Sequence, residues 1–254
     1  KVASKYSLGL SATPNRKDGL RKVFEWFIGP MVYQTTDKNK DHIETRIHEY
    51  TSDEIAYCKE ELSYGKPCYP RMINNICSFP PRRAFLQDLI VKEHYIGRKI
   101  LVLSDRRQHL DALMEYLNTQ IHPTVAGLYV GGMKAHELRE SQERDIILGT
   151  FSMASEGMDI PKLNTIFLAS PKSDVVQSVG RILREKADVR KFHPLVIDLK
   201  DSHPNLGFFE KQCNKRITYY KQQNHRISMI TMDGERSTIA AKKPTKVLEI
   251  EYLL

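Results

Sequence analysis

The segment "KILVLSDRRQHLDALMEYL" (99–117) contains the two patterns that decide the fold. It begins with an apolar run that lacks alternation, which is typical of a strand covered on both faces of a sheet. Apolar residues then recur at helical spacing, at Leu110, Leu113, Met114 and Leu117. A helix is therefore predicted after the strand, with Ser104 or Asp105 as its N-cap. A buried strand followed by an amphipathic helix is the repeating unit of parallel α/β folds.

Similar apolar runs recur along the rest of the chain. They are "YSLGL" (6–10), "TVAGLYV" (124–130), "DIILGT" (145–150), "NTIFLA" (164–169) and "PLVIDL" (194–199). Helices are predicted over 81–96 and along a C-terminal apolar stripe around Cys213. The fold class is predicted to be α/β, with a parallel sheet covered by helices on both faces. The proline-rich segment 63–80 receives no assignment.

The composition is compatible with a polyanionic partner. The chain of 254 residues has 39 lysines and arginines against 31 aspartates and glutamates, a formal charge of +8. Nucleic acid suits such a balance, although many basic proteins bind none. The four cysteines lack the spacing of a zinc site, so no metal ligands are predicted. No membrane-length apolar run or signal peptide occurs, so a soluble intracellular protein without a membrane partner is expected.

The stretch "QSVGRILR" (177–184) places three polar side chains on one stripe of a predicted helix. Gln177, Arg181 and Arg184 stand at i, i+4 and i+7. Two guanidiniums on one helix face form a fork that suits phosphate oxygens. Gly180 costs roughly 1 kcal/mol of helix stability relative to alanine, a cost that makes sense where a ligand approaches the backbone. A solvated charged face is the alternative interpretation.

Just before that helix, the loop "GTFSMASEGMDIP" (149–161) follows a predicted strand. It supplies hydroxyl groups, among them Thr150, a glycine for close approach at Gly157, and a ribose-hydroxyl acceptor at Asp159. An ordinary strand-to-helix loop is the alternative. Because one more strand separates this loop from the arginine helix, both groups are expected at the same edge of the parallel sheet, where ligands bind.

Two further loops carry basic or glycine residues at predicted strand ends. Arg106 and Arg107 follow the run at 99–104, and Gly131, Gly132 and Lys134 follow the run at 124–130. Guanidinium, ammonium and backbone N–H groups are the usual partners of nucleic-acid phosphates. These residues are therefore candidate nucleic-acid contacts. For the lysine, a solvated side chain at a helix start is the alternative.

These segments follow an N-terminal "LSATPNRKDGL" (10–20), and the order of the set is distinctive. The succession "SAT", "ILVLSDR", "YVGGMK", "TFSMASEGMDIP" and "QSVGRILR" resembles the later motifs of superfamily-two helicases. The forms of the first and last motifs resemble the branch with XPB-like helicases, the phage helicase UvsW and the poxvirus transcript-release helicase. The resemblance covers about residues 1–225. It implies that the chain has a RecA-like fold and is the second of two helicase lobes. It also implies that the complete enzyme moves along RNA or DNA and hydrolyses ATP to do so.

The resemblance also implies roles for individual residues. Gln177, Arg181 and Arg184 match the arginine helix of the family, whose last arginine contacts the γ-phosphate. Such a finger contributes about 10³–10⁵ in rate to phosphoryl transfer. These three residues are therefore the predicted catalytic set.

Other matched positions resemble residues that bind the nucleotide, couple its hydrolysis to strand separation, or contact the nucleic acid. Gly157 and Asp159 resemble the loop that contacts ATP and its ribose. Ser11 and Thr13 resemble the motif that couples hydrolysis to strand separation. Thr150 resembles the hydroxyl that holds a nucleic-acid phosphate.

Two motifs of a complete helicase are absent from the printed sequence. It contains no G-x-x-x-x-G-K-[ST] phosphate loop and no acidic box on an apolar strand. The predicted organisation is the end of a first RecA-like lobe (1–34), a second lobe (35–225) and a C-terminal extension (226–254). The chain is thus expected to be the C-terminal part of a longer enzyme. The first lobe would supply the ligands of Mg²⁺, and this part would be inactive without it.

Two other hypotheses remain open from the sequence. The chain could be a non-catalytic nucleic-acid- or protein-binding module with the lobe fold, or a duplex translocase that displaces proteins without unwinding. Resemblance to viral members favours a role in transcription or DNA metabolism, located in host cytoplasm or virion.

Overall fold

The computed structural model describes residues 5–10, 21–33, 43–155, 160, 162–180 and 190–239. The chain divides into two compact units, Lys1–Lys40 and Asp41–Leu254. In the first unit, helix α1 (Arg21–Ile28) follows the irregular segment 5–10 in the described residues.

The second unit is built on one extended sheet. Its strands in chain order are β1 (Glu44–Tyr50), β2 (Leu62–Ser63), β3 (Lys66–Pro67), β4 (Ile100–Leu103), β5 (Ala126–Tyr129), β6 (Ile146–Gly149), β7 (Thr165–Leu168), β8 (Leu195–Asp201), β9 (Arg226–Ile230) and β10 (Arg236–Ile239). β2 and β3 pair as a separate antiparallel hairpin, and the other eight form a sheet in the order β10-β9-β1-β8-β7-β4-β6-β5. Neighbouring strands in this sheet are parallel, except that β10 is antiparallel to β9.

Helices cover both faces of this sheet. They are α2 (Ile55–Cys58), α3 (Tyr69–Ser78), α4 (Pro80–Tyr95), α5 (Arg107–Gln120), α6 (Ala135–Glu143), α7 (Phe151–Ser155), α8 (Val176–Val179) and α9 (Gly207–Gln222). On one face, α4 and α5 pack against alternate strand residues such as Ile100 and Val102. On the other, α9 packs against the intervening set, including Leu101 and Leu103. The predicted α/β class, with helices on both faces, is confirmed.

β8 carries a buried carboxylate toward each face. On one side the guanidinium of Arg216 in α9 donates from Nε and Nη2 to the two Asp198 oxygens, both at 2.8 Å. On the other, Arg82 in α4 donates to the two Asp201 oxygens at 2.5 and 2.9 Å. All four residues are at most 3% exposed. Because β8 lies inside the sheet, these two ion pairs fix one helix on each face to the same strand.

A third apolar cluster lies under the segment from α2 to α3. Tyr57, Met72, Ile76 and Phe79 pack with Tyr50 at the end of β1. The Tyr57 hydroxyl also lies 3.1 Å from Asp201 Oδ1. The proline-rich segment without a sequence assignment therefore contains the hairpin and a packed ten-residue helix, α3. Pro70 stands in the first turn of that helix, where its missing N–H costs nothing.

Most of the predicted strands and helices match the structure. The runs at 99–104, 124–130, 145–150, 164–169 and 194–199 form β4, β5, β6, β7 and β8, and α4 and α9 occupy the predicted helical segments.

Three local predictions are wrong or incomplete. The segment 6–10 is not a strand: Leu8 and Leu10 are 81% and 87% exposed, with no neighbouring strand in the described residues. The N-cap of α5 is Arg106 rather than Ser104 or Asp105. β9 and β10 extend the sheet within the segment assigned to a C-terminal extension, and both were missed together with β1. The sequences of β1 and β10 are mostly polar, and β9 is only five residues long. In the part of the chain that the structure describes, no helix is long and apolar enough to cross a membrane.

The ion pair between Asp198 and Arg216 makes a stability prediction. Asp198→Ala leaves a buried guanidinium without its counter-charge, so the free energy of unfolding should fall by about 3–5 kcal/mol in urea titrations. Asp111→Ala is the control, because Asp111 and Arg107 form an exposed pair at 4.0 Å. Removing that pair should cost less than about 1 kcal/mol. Equal effects of the two substitutions would contradict the role given to the buried pair.

Candidate nucleic-acid interface

Four neighbouring strands bring the predicted contact loops to one edge of the sheet. β7, β4, β6 and β5 are adjacent and parallel, so the loops at their carboxyl ends lie side by side. The β4 loop carries Arg106 and Arg107, the β5 loop carries Gly131, Gly132 and Lys134, and the β6 loop begins at Thr150. We call this arrangement the carboxyl edge.

The β4 and β7 loops are joined by polar contacts. The N–H of Asp105 donates to Ser170 Oγ at 2.9 Å, and the Lys172 ammonium lies 3.0 and 3.2 Å from the two Asp105 oxygens. The same ammonium lies 5.4 Å from the centre of the Phe151 ring, which begins α7. Asp105 is thus engaged with its neighbours instead of capping α5. These contacts hold the β4 loop in one position.

Arg106 lies beside this junction, with its guanidinium held by α3. Nε donates to Asn74 Oδ1 at 2.5 Å, and Nη2 donates to the Pro70 carbonyl at 3.0 Å. Its backbone N–H donates to Ser104 Oγ at 3.2 Å. Its side chain makes no capping hydrogen bond to the first turn of α5, so a helix N-terminus without a side-chain cap adjoins a guanidinium. Both features favour an anion at this point.

Arg107 is the more exposed arginine of the pair. Its side chain is 61% exposed, and its Nε is 4.0 Å from Asp111 Oδ2 one turn further along α5. An ion pair this long and exposed contributes little, so the guanidinium can exchange it for a phosphate.

The loop after β5 presents glycine backbone and one ammonium to solvent. Gly131 and Gly132 are exposed, and Gly132 has φ +86°, a conformation that residues with a Cβ rarely adopt. The backbone N–H of Lys134 donates to Glu137 Oε2 at 2.6 Å, which caps α6. The side chain of Lys134 is exposed, and among the described residues it has no ion-pair partner within 4.0 Å. This loop can therefore approach a phosphate closely.

Thr150 ends β6 and begins α7. Its carbonyl accepts the N–H of Ala154 at 3.0 Å, and its hydroxyl lies 3.1 Å from that of Ser152. The hydroxyl is therefore held at the carboxyl edge, between the β4 and β5 loops. Its predicted role as a phosphate contact stays a prediction.

The remaining predicted site residues lie outside the described residues. They are Ser11 and Thr13, Gly157 and Asp159, and Arg181 and Arg184. Gln177 lies in α8, and its side chain is also outside the described part. Their predicted roles stay predictions. Within the part of the chain that is described, no group of three or more His, Cys, Asp or Glu side chains could hold a metal ion.

Buried polar side chains form hydrogen bonds with the loops of the carboxyl edge. Arg216, the partner of Asp198, also donates from Nη1 to the carbonyl of Lys172. Ser104 Oγ lies 3.1 Å from Nδ1 of buried His109. Burial, assisted by the positive charges of Arg82 and Arg83, lowers the pKa of His109 to about 3. The imidazole therefore stays neutral at physiological pH, and its contact with Ser104 does not change there.

Comparison with known proteins identifies part of the chain. Residues 81–186 match the family of helicase conserved C-terminal domains. The chain is 38% identical over 232 residues to a protein of Acanthamoeba polyphaga mimivirus named "Putative ATP-dependent RNA helicase". That alignment covers 89% of this chain and 44% of the mimivirus protein. The chain spans about half the length of the curated relatives it matches.

Two solved structures of helicases share the fold of this chain. The phage T4 UvsW structure aligns with 74% of the chain and 42% of its own length, at a TM-score of 0.57 and 19% identity. The S. cerevisiae Dbp5 structure bound to RNA and ADP BeF3 aligns with 86% of the chain and 50% of its own length, at 0.53 and 11%. At these identities the likeness shows the fold, and the predicted RecA-like fold is confirmed.

The sequence analysis missed several residues at the carboxyl edge. Ser170 and Lys172 could have been found, because they follow the predicted strand 164–169 and parallel strands end at one edge. Asn74 and Pro70 could not, because the proline-rich segment carried no clear periodicity. The contact between α3 and Arg106 joins residues that are far apart in the sequence, so only the folded structure reveals it.

The buried imidazole predicts a pH dependence of stability. The pKa of His109 is about 3 in the folded chain and 6.5 for an ordinary histidine. Between these values the unfolded chain binds a proton that the folded chain does not, so stability falls as pH falls from 6.5 toward 3. The slope should be at most about 1.4 kcal/mol per pH unit. In His109→Gln, urea unfolding at several pH values should show a shallower fall, and an unchanged slope would refute the assignment.

Proposed function

We propose that the chain is the second lobe of an ATP-dependent nucleic-acid helicase or translocase, with the carboxyl edge as part of its nucleic-acid track. The observation that carries the proposal is the set of basic and N–H-presenting loops that four adjacent strands bring to one edge. Phosphate contacts of this kind position a protein on nucleic acid without reading sequence. The match of residues 81–186 to the family of helicase conserved C-terminal domains supports the same function.

ATP would be bound between this lobe and a first RecA-like lobe. On this side Gly157 and Asp159 would contact the nucleotide, and Gln177, Arg181 and Arg184 would stabilise charge on the transferring phosphoryl group. The phosphate loop and acidic box are absent from the printed sequence, so the first lobe would supply them and the Mg²⁺ ligands. The chain without such a lobe would bind nucleic acid and turn over little ATP.

The first unit supports the presence of such a lobe. Helix α1 carries Trp26 and Phe27, which are 78% and 81% exposed. Apolar surface of this size is normally covered by a partner. Residues 1–34, with the coupling residues Ser11 and Thr13, would form the end of the first lobe and be covered by its remainder.

Nucleic-acid binding by the 254-residue chain can be tested at the carboxyl edge. Lys134→Gln should weaken binding of a labelled single strand, measured by anisotropy over a salt series. Loss of one phosphate contact should reduce the slope of log K against log salt by about 0.7. Lys162→Gln is the matched control, because Lys162 is exposed just before β7, at the opposite edge. If the slope of log K against log salt is the same for both variants and the parent, Lys134 does not contact the nucleic acid, and the binding surface lies elsewhere.

The arginine finger is tested in an enzyme that combines this chain with its first lobe. Arg184→Ala should reduce nucleic-acid-stimulated ATP hydrolysis by about 10³-fold or more and leave strand binding and folding intact. Arg226→Ala is the control, because Arg226 is exposed at the start of β9. Turnover that survives Arg184→Ala would remove the assignment. If the two-lobe protein with Arg184 intact hydrolyses no ATP, that result would favour the hypothesis of a non-catalytic binding module.

A further inference from the structure

The guanidinium of Arg106 is held by three acceptors at once. Nε donates to Asn74 Oδ1, Nη2 donates to the Pro70 carbonyl, and Nη1 donates to the Asp105 carbonyl at 3.1 Å. A guanidinium has five N–H donors, so one N–H remains on each terminal nitrogen. The plane of the group is fixed while two donors stay available to a ligand.

Two of these acceptors come from one side of α3. Pro70 and Asn74 are separated by four positions, which places them one above the other on the same helix face. Asn74 is exposed and lies outside the apolar cluster beneath the helix. Its side chain therefore contributes little to packing, and the hydrogen bond to Arg106 is its described contact.

α3 is itself held rigidly on the sheet. Met72 and Ile76, on its inner side, are at most 2% exposed and pack with Tyr50 and Phe209. An acceptor carried by such a helix holds its partner in a fixed place. A long arginine side chain that is ordered before binding loses less rotamer freedom when a ligand arrives.

We propose that Asn74 is a positioning residue, which orients the Arg106 guanidinium so that its two remaining N–H groups meet a nucleic-acid phosphate. The proposal rests on the function proposed above, because it requires a phosphate at the carboxyl edge. It assigns the segment from α2 to α3 a part in strand binding, through one oriented arginine. Asn74 acts through Arg106 and does not touch the strand.

The neighbouring residue supplies a matched control. Asn75 has the same side chain on the same helix, but its Nδ2 donates to Glu61 Oε1 at 3.2 Å, next to the hairpin. Asn74→Ala and Asn75→Ala therefore make the same chemical change, and only one of them removes an acceptor from Arg106.

The experiment measures binding of a labelled single-stranded oligouridylate, and of the matching oligothymidylate, to the 254-residue chain by anisotropy. Five proteins are compared: the parent, Asn74→Ala, Asn75→Ala, Arg106→Ala and the double variant Asn74→Ala/Arg106→Ala. Arg106→Ala should weaken binding about tenfold, as expected for a charge-assisted hydrogen bond. Asn74→Ala should weaken it about threefold, and Asn75→Ala should not. Thermal unfolding of each variant verifies that it is folded.

The double variant separates positioning from a general structural effect. If Asn74 acts through Arg106, the double variant binds as weakly as Arg106→Ala and no more weakly. Additive losses, or equal losses in Asn74→Ala and Asn75→Ala, would overturn the positioning role and leave the Arg106 contact standing. If Arg106→Ala binds as well as the parent, the phosphate contact itself is wrong, and the part of the proposed function that depends on it fails first.

Discussion

The rest of the structure depends on the two buried ion pairs of β8. Asp198 and Asp201 stand three positions apart, so they point to opposite faces of the strand. Each accepts two hydrogen bonds from an arginine, one in α9 and one in α4. A buried carboxylate is tolerated only when a counter-charge and hydrogen bonds satisfy it. Both carboxylates of β8 are therefore satisfied only when both helices are in place.

The same ion pairs connect the core to the carboxyl edge. Arg216 donates to the carbonyl of Lys172, whose ammonium pairs with Asp105, and Asp105 precedes Arg106. Arg82 lies in the helix that directly follows α3, which holds the Arg106 side chain. Both sides of the arginine loop are thus anchored to β8. A phosphate-binding group gains affinity when it is held in place before the ligand arrives, and the two anchors provide this.

The sequence predicted those parts whose physical signal is local. Apolar runs such as Ile100–Leu103 identify strands buried on both faces, and the helical stripe after them identifies α5. β1 was missed because Glu44–Tyr50 is mostly polar and lacks the apolar run that marks a buried strand, although it pairs on both sides. The link between Asn74 and Arg106 joins residues 32 positions apart, so only packing reveals it. The order of the motifs along the chain indicated a helicase, which no single local pattern did.

The proposed function requires nucleic acid to lie on the carboxyl edge of the sheet. Amide hydrogen exchange of the 254-residue chain, with and without a single strand, tests it most directly. If the nucleic acid lies there, the backbone amides of loops 104–107, 130–134 and 150–155 should exchange more slowly when the strand is bound. Exchange at 121–125 and 143–145, on the opposite edge of the sheet, should not change. Protection confined to the opposite edge, or none at the carboxyl edge under conditions where anisotropy shows binding, would contradict it.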